Sequence, residues 1–384
     1  MYAMPPIRLR LITLMLVGLP ALHHSSAQQR PRELGIELGV LSPGPSNAIT
    51  DVTGVEVGHF TLIQGDSVRT GVTAVLPHGE NIFQEKVPAA VFVGNGFGKM
   101  AGTTQIMELG NLETPIILTN TLSVPTAMDA VISYTLSQPG NAEVRSVNAV
   151  VGETNDGYLN DIRGRHIKEE HVLAAIESAS NENGMEGNVG AGTGTVAFGY
   201  KGGIGTSSRK LPRNLGGYTV GVLVQTNFGG VLQIGGLNVG KALGKFSFSN
   251  ALMQKADGSC MIVVATDAPL SGRNLERLAK RAFLGLGRTG GIASNGSGDY
   301  IIAFSSAPES RIPYEVEERL VEKTTVPNDL MSPLFLAAIE ATEEAILNSL
   351  FMAETMEGHQ GRKIEALPVE KVLNLLRKHD LIEE

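Results

Sequence analysis

An α/β fold in which layers of helix cover a central stack of sheets is the architecture this sequence predicts, on three observations. Apolar runs of strand length recur along the chain and are mostly continuous rather than alternating, the pattern of strands covered on both faces. Stretches of helical periodicity lie between them. The two element types mix without strict βαβα alternation and without a repeat of fixed period, which favours stacked layers over a doubly wound parallel sheet.

The strand-like runs are "VTAVLP" (72–77), "AAVFVGN" (89–95), "PIILTNT" (115–121), "VNAVVGET" (147–154), "TVAFGY" (195–200), "YTVGVLVQTN" (218–227), "CMIVVATDA" (260–268) and "YIIAFSSA" (300–307). A helix is predicted around Leu275, Leu278, Ala279, Ala282 and Leu286, whose spacings of three and four share one face. A second runs from about Asn328, a capping residue type, to about Phe351. A third (369–379) follows Pro368, and 168–181 is a further candidate. "NENGMEGNVGAGTGT" (181–195) reads as an internal loop, and no Pro- or Ser-rich linker divides the chain.

At 384 residues and 42% hydrophobic content the chain has ample material for a large core. Its net charge of −8, with Lys and Arg scattered singly, provides no basic stripe for nucleic acid. Abundant glycine and few aromatics fit a sheet-rich protein with tight turns. At the N-terminus, Arg8 and Arg10 precede an apolar run from Leu11 to Leu22, and Ser25 and Ala27 form a small-x-small site. That is the layout of a secretory leader cleaved after Ala27, since the run contains Pro20 and is too short to span a bilayer. The expected location is periplasmic or secreted, with no membrane segment in the mature chain. A lone cysteine, Cys260, forms no internal disulfide and opens an apolar run as a small buried hydrophobe does.

Familiar catalytic patterns are scarce. "GNGFGKMAG" (94–102) lacks the spacing of a dinucleotide or phosphate loop and reads as a tight turn that can still offer backbone N–H groups. The histidines form no metal cluster, and no G-x-S-x-G elbow is present. "VVGETNDGYLNDIRGRH" (150–166) delivers Glu153 at a strand end. Asn155, Asp156, Asn160 and Asp161 then crowd into a turn, either for local hydrogen bonding or to hold a substrate ammonium. Asn227 ends a strand ahead of Phe228 and two glycines, where an amide can donate to an oxyanion or close a turn. Ser297 and Asp299 lie in a glycine-rich turn before the last strand.

Ser259 follows Gly258 at the head of the most apolar run, with no histidine near it in sequence. Gly258–Ser259 is either a plain turn or a self-cleavage point. Cutting that bond would give Ser259 a free α-amine, with a pKa of about 7.7–8.0, able to act as its own base. The same hydroxyl can make the cut by an N-to-O acyl shift, and glycine on the acyl side leaves the carbonyl open.

"ETNDGYLNDIRG", "KGGIGTSSR", "YTVGVLVQTNFG", "DGSCMIVVATDAPL", "RAFLGLGRTGG" and "NGSGDYIIAFSSA", in this order, resemble the self-processing aminopeptidases that comprise the L-aminopeptidase/D-amidase-esterases and the β-peptidyl aminopeptidases. The likeness runs from about Gly54 to about Asn348. It implies a four-layer αββα sandwich related to N-terminal nucleophile hydrolases but differently connected. A single catalytic domain, 28–384, would be cut between Gly258 and Ser259 into a large (28–258) and a small (259–384) subunit. The resemblance makes Ser259 the nucleophile, Ser297 and Asp299 its supports, Asn227 the oxyanion donor and Glu153 the carboxylate for the substrate amine. Asp299 stands where many relatives carry Glu, and Asn155 where some carry a tyrosine. No cofactor is implied; the substrate would be a short peptide or amino-acid amide, and the assembly a homotetramer of cleaved heterodimers. The alternative of a different class is an extracytoplasmic solute-binding protein, with a conventional amidase using Ser297 between the two.

Overall fold

The computed structural model describes Met1 and residues 28–182, 184–249, 257–316 and 319–383. The predicted leader and its cleavage site therefore lie, Met1 apart, outside the described residues. Two sheets carry the fold. The first, of five strands, contains β1 (Glu56–Gln64), β2 (Val68–Leu76), β4 (Met100–Ala101), β5 (Ile116–Asn120) and β6 (Val150–Thr154), in the order β1-β2-β5-β6-β4. The second, of seven, is built on β3 (Glu85–Gly96), β7 (Ile204–Lys210), β8 (Thr219–Asn227), β9 (Asp257–Thr266) and β10 (Gly296–Ser305), in the order β7-β8-β9-β10-β3. Asn111–Leu112 and Ile312–Pro313 pair on to β3. Each sheet has one parallel pair, β5 with β6 and β9 with β10, among antiparallel neighbours.

The layering follows from where apolar side chains go. Val75, Ile116, Leu118 and Val150 of the first sheet meet Leu223, Met261, Val263 and Ile302 of the second in an inter-sheet core. The outer face of the first sheet is covered by α1 (Val124–Ser137) and α2 (Glu169–Glu177). That of the second is covered by α3 (Gly272–Arg288) and α4 (Ser332–Phe351), with α5 (Val369–Lys378) joining the same apolar layer. The result is the αββα sandwich that the resemblance implied. Strands covered on both faces explain the continuous apolar runs: from Cys260 to Ala265 every residue of β9 is buried. Helix α3 starts where Ser271 accepts a hydrogen bond from the Asn274 N–H, and its periodic face is the predicted one.

Helix α4 is buried along most of its length and brings charge into the interior. Arg209 on β7 is fully buried and pairs with Glu344 at 2.7 Å and Glu340 at 3.2 Å. Arg32 reaches the same Glu344 at 2.7 Å, and Glu340 accepts from the Val40 and Leu41 N–H groups. The backbones approach closely here, because a Cβ on Gly205 would lie 1.9 Å from the Ala345 carbonyl oxygen.

The sequence expectations differ from the structure in places. The run 195–200 is not one strand but two two-residue pieces, Val196–Ala197 and Tyr200–Lys201, around a turn with Phe198 and Gly199 at positive φ. The helix expected over 168–181 stops at Glu177, and the one expected from Asn328 begins as a 3-10 turn before Ser332. No described helix is long and apolar enough to cross a membrane.

Candidate active site

Register in the second sheet assembles the site. Asn227, the last residue of β8, lies opposite Ser259, and Ser259 lies beside Gly298 of β10. Gly258 is paired with Ser297 and Cys260 with Asp299. Residues more than thirty positions apart in sequence are thus brought together by strand pairing alone.

Ser259 is 5% exposed. Its hydroxyl donates to the carbonyl of Gly258 at 2.6 Å and accepts from the Gly298 N–H at 3.2 Å, so Oγ is held against the carbonyl that precedes it. Gly258 is required by space: a Cβ there would sit 2.5 Å from Phe228 Cα and 2.8 Å from the Asn227 carbonyl oxygen. Beside it, the buried Ser297 hydroxyl donates to Asp299 Oδ1 at 2.9 Å. Asp299 Oδ2 is buried and has no hydrogen-bond partner among the described residues. Burial pushes the Asp299 carboxyl up to about 6, against the Ser297 hydroxyl and the Cys260 N–H, which pull it down. Cys260 itself is fully buried, and burial raises its thiol pKa well above the usual range, so it remains a thiol within the strand.

The Asn227 amide is oriented by its acceptor end. Oδ1 takes the Val196 N–H at 3.0 Å, which leaves the NH₂ as the end free to donate into the cleft that Asn227 lines. Across the cleft, Glu153 at the end of β6 is 3% exposed. Its Oε1 accepts from the Lys99 N–H at 3.0 Å and lies 3.7 Å from Lys99 Nζ, while Oε2 accepts from the Thr121 hydroxyl. The glycine-rich turn after β3 does supply a backbone N–H, as anticipated. Its other end clamps the entry to β10, through the Asn95 amide to the Ser294 carbonyl at 3.0 Å in the preceding turn and the Phe97 N–H to the Ser297 carbonyl at 3.1 Å in the strand.

The polar cluster after β6 separates. Asn155 is exposed at the cleft wall and closes an Asx turn by accepting from the Gly157 N–H at 3.0 Å. Asp156 turns inward, takes a bond from Asn160 Nδ2 at 3.0 Å, and is pushed up to about 7 by burial. Asp161 goes to the surface with His166. Ser259, Asn227, Glu153 and Asn155 therefore share one cleft of about 770 Å³, while Ser297 and Asp299 stand behind Ser259. Asn95 and Lys99 lie within the glycine-rich turn and Thr121 at the end of the run 115–121, but nothing local marks these residues, or Lys245, as part of the site. Among the described residues no cluster of three or more His, Cys, Asp or Glu is placed to hold a metal.

A serine beside a backbone N–H, an outward amide and a buried carboxylate, in one cleft of an αββα sandwich, is an arrangement chemically able to carry acyl transfer. The chain belongs to peptidase family S58, whose family model matches residues 47–364. It is a peptide-bond hydrolase. It is 43% identical over 380 residues to the beta-peptidyl aminopeptidase BapA of Sphingosinicella microcystinivorans, covering 92% of this chain and 93% of that one. Among solved structures it is similar to the PH0078 protein of Pyrococcus horikoshii OT3, with 49% identity and a TM-score of 0.84 over 92% of this chain and 99% of that one. It also resembles the L-aminopeptidase D-Ala-esterase/amidase of Ochrobactrum anthropi, described as a variant of the Ntn hydrolase fold. There the identity is 35% and the TM-score 0.85, over 92% and 99% of the two chains.

Proposed function

We propose that the protein is a self-processing serine aminopeptidase that removes one N-terminal residue, a β-amino acid such as β-alanine or a small L-α-residue, from short peptides and amides. The observation that carries this reading is that Ser259 Oγ touches the Gly258 carbonyl and shares a cleft with Glu153.

In the first reaction, Ser259 Oγ attacks the Gly258 carbonyl carbon and the C–N bond breaks. The nitrogen keeps its own hydrogen, takes the proton given up by the hydroxyl and becomes the α-amine of Ser259, and water hydrolyses the resulting ester to a Gly258 carboxylate and restores the Ser259 hydroxyl. The products are a large subunit, 28–258, and a small one, 259–384. In the second reaction the same hydroxyl attacks a substrate carbonyl. Its proton passes to its own amine or to the Ser297–Asp299 pair, the Asn227 NH₂ stabilises the oxyanion, and the leaving amine takes a proton as it departs. Water then releases the acyl group. Glu153 holds the substrate ammonium, which confines cleavage to a free N-terminus. Asn155 lines the first-residue pocket. Support for β-residues comes from the beta-peptidyl aminopeptidase relative, and the Ochrobactrum structure supports the second reading, L-aminopeptidase and D-amidase-esterase specificity.

A secreted or periplasmic location rests on the basic, apolar and small-residue order of 1–27, and assembly as a homotetramer of heterodimers rests on family likeness alone. A denaturing gel with N-terminal sequencing tests the core of the proposal. Fragments beginning at Ser259, absent in Ser259→Ala together with activity, are expected; a single intact and active chain overturns it. Hydrolysis of β-alanyl, L-alanyl and D-alanyl anilides then decides among first residues.

A further inference from the structure

The cleft contains a second lysine that the reaction above leaves unused. Lys245 Nζ stands 4.2 Å over the centroid of the Tyr200 ring, and its stem lies against Gly199, where a Cβ would come within 3.0 Å of Lys245 Cε. The positive φ of 77° at Gly199 makes that turn a glycine position and so keeps the shelf under the lysine open. Lys99 is 3.7 Å from Glu153, whereas Lys245 forms no ion pair with a described carboxylate. A half-buried ammonium over an aromatic face, with the Glu365 carboxylate near enough to act on its charge but not paired with it, can still take an anion.

Its position gives the anion a place in the substrate. Tyr200, Phe198 and Phe228 belong to the apolar layer between the second sheet and its helices, whereas Glu153 rises from the first sheet. Ser259, on the second sheet, lines the same cleft as Glu153 and Lys245. For a substrate with its ammonium at Glu153 and its scissile carbonyl at Ser259, Lys245 is the cation lining the cleft that is left for the leaving half.

We infer that Lys245 receives the free carboxylate of the leaving residue, so that the cleft reads both charged ends of a dipeptide. The inference rests on the roles proposed above for Ser259 and Glu153. The acid gains one charge-assisted contact that the amide lacks, and a preference of about tenfold is the expected size in a cleft open to solvent.

The test measures kcat/KM for a dipeptide and its C-terminal amide, with X-leucine and X-leucinamide as probes and X the first residue selected by the anilide panel. Wild type should prefer the acid about tenfold. The ratio should drop close to one in Lys245→Met, persist in Lys245→Arg and invert in Lys245→Glu. Using a ratio within each variant removes differences in folding or processing. Equal rates on the two substrates in wild type overturn the inference whatever the variants do. A ratio unmoved in Lys245→Met, or one that collapses in Lys99→Met instead, overturns it too. Failure to cleave any anilide overturns the aminopeptidase reading itself, and this inference with it.

Discussion

Burial pushes Asp299 up to about 6, so between the unfolded carboxyl value of about 3.9 and that value the folded chain keeps a proton that the unfolded chain has released. Stability therefore falls as pH rises through this window, and above it the ionised carboxylate costs about 3 kcal/mol. An isosteric Asn can still accept from the Ser297 hydroxyl without that charge. In the uncut Ser259→Ala background, Asp299→Asn should be more stable at pH 7.5 by up to that amount, with the gap closing below about pH 4. Thermal melts across pH read this directly, and a less stable Asn variant at pH 7.5 would show that the carboxylate is well paired. Glu153 is tested differently. Its Oε1 and Oε2 are fixed by the Lys99 N–H and the Thr121 hydroxyl, so Glu153→Gln keeps the shape and removes the charge. KM for free-amine substrates should rise about 10- to 100-fold, with self-cleavage changed far less; equal losses in both would remove its role in holding the amine. Legibility at this scale was uneven. Glu153 and Asn227 sit at ends of apolar runs that the sequence displays, but Lys99 and Thr121 reach the site from the turns after β3 and β5, and Asn95 from the end of β3 itself. Only the pairing of β5 with β6 and of β3 with β10 brings them there.

At the level of elements, the long apolar strands were visible, and β1 and the polar β7 were not. Strand β7 reads "IGTSSRK", yet Thr206, Ser207, Ser208 and Arg209 are all buried, because helix α4 brings Glu340 and Glu344 to Arg209 and Asn348 to the Thr206 carbonyl, while Asn47 and Asp51 take the Ser207 and Ser208 hydroxyls. A buried strand satisfied by charges more than a hundred residues away leaves no hydrophobic signature. The run at 195–200 failed for the opposite reason, since its apolar residues fill a turn whose Phe198 and Phe228 rings pack edge to face at 5.0 Å. Contact between β7 and α4 makes a sharp prediction. A Cβ on Gly205 would lie 1.9 Å from the Ala345 carbonyl and 2.7 Å from the Ser349 N, both backbone atoms of α4. Gly205→Ala should therefore displace the helix and cost about 1–3 kcal/mol or more. A urea midpoint equal to that of wild type would show that the helix yields freely.

Across the whole molecule, the proposed cut removes one covalent link and leaves the sheet intact. Strands β9 and β10 would belong to the small subunit, yet β9 pairs with β8 and β10 with β3, both from the large one. The buried charges also cross the division, with Arg209 and Arg32 on one side and Glu340 and Glu344 on the other. The cut protein should elute as one particle under native conditions and separate only in denaturant. Glu344→Ala, which leaves the fully buried Arg209 with Glu340 as its one carboxylate partner and takes the partner from the partly exposed Arg32, should destabilise it by about 3–5 kcal/mol. Refolding exposes the consequence of the cut. Uncut Ser259→Ala regains its sheet by an intramolecular route, so its yield after dilution from urea should not increase with protein concentration. Cut wild type must first bring two chains together, because neither piece holds all five long strands of the second sheet, and its refolding rate should rise with concentration. Rates independent of concentration for both proteins would mean that the chain is not divided at Gly258–Ser259.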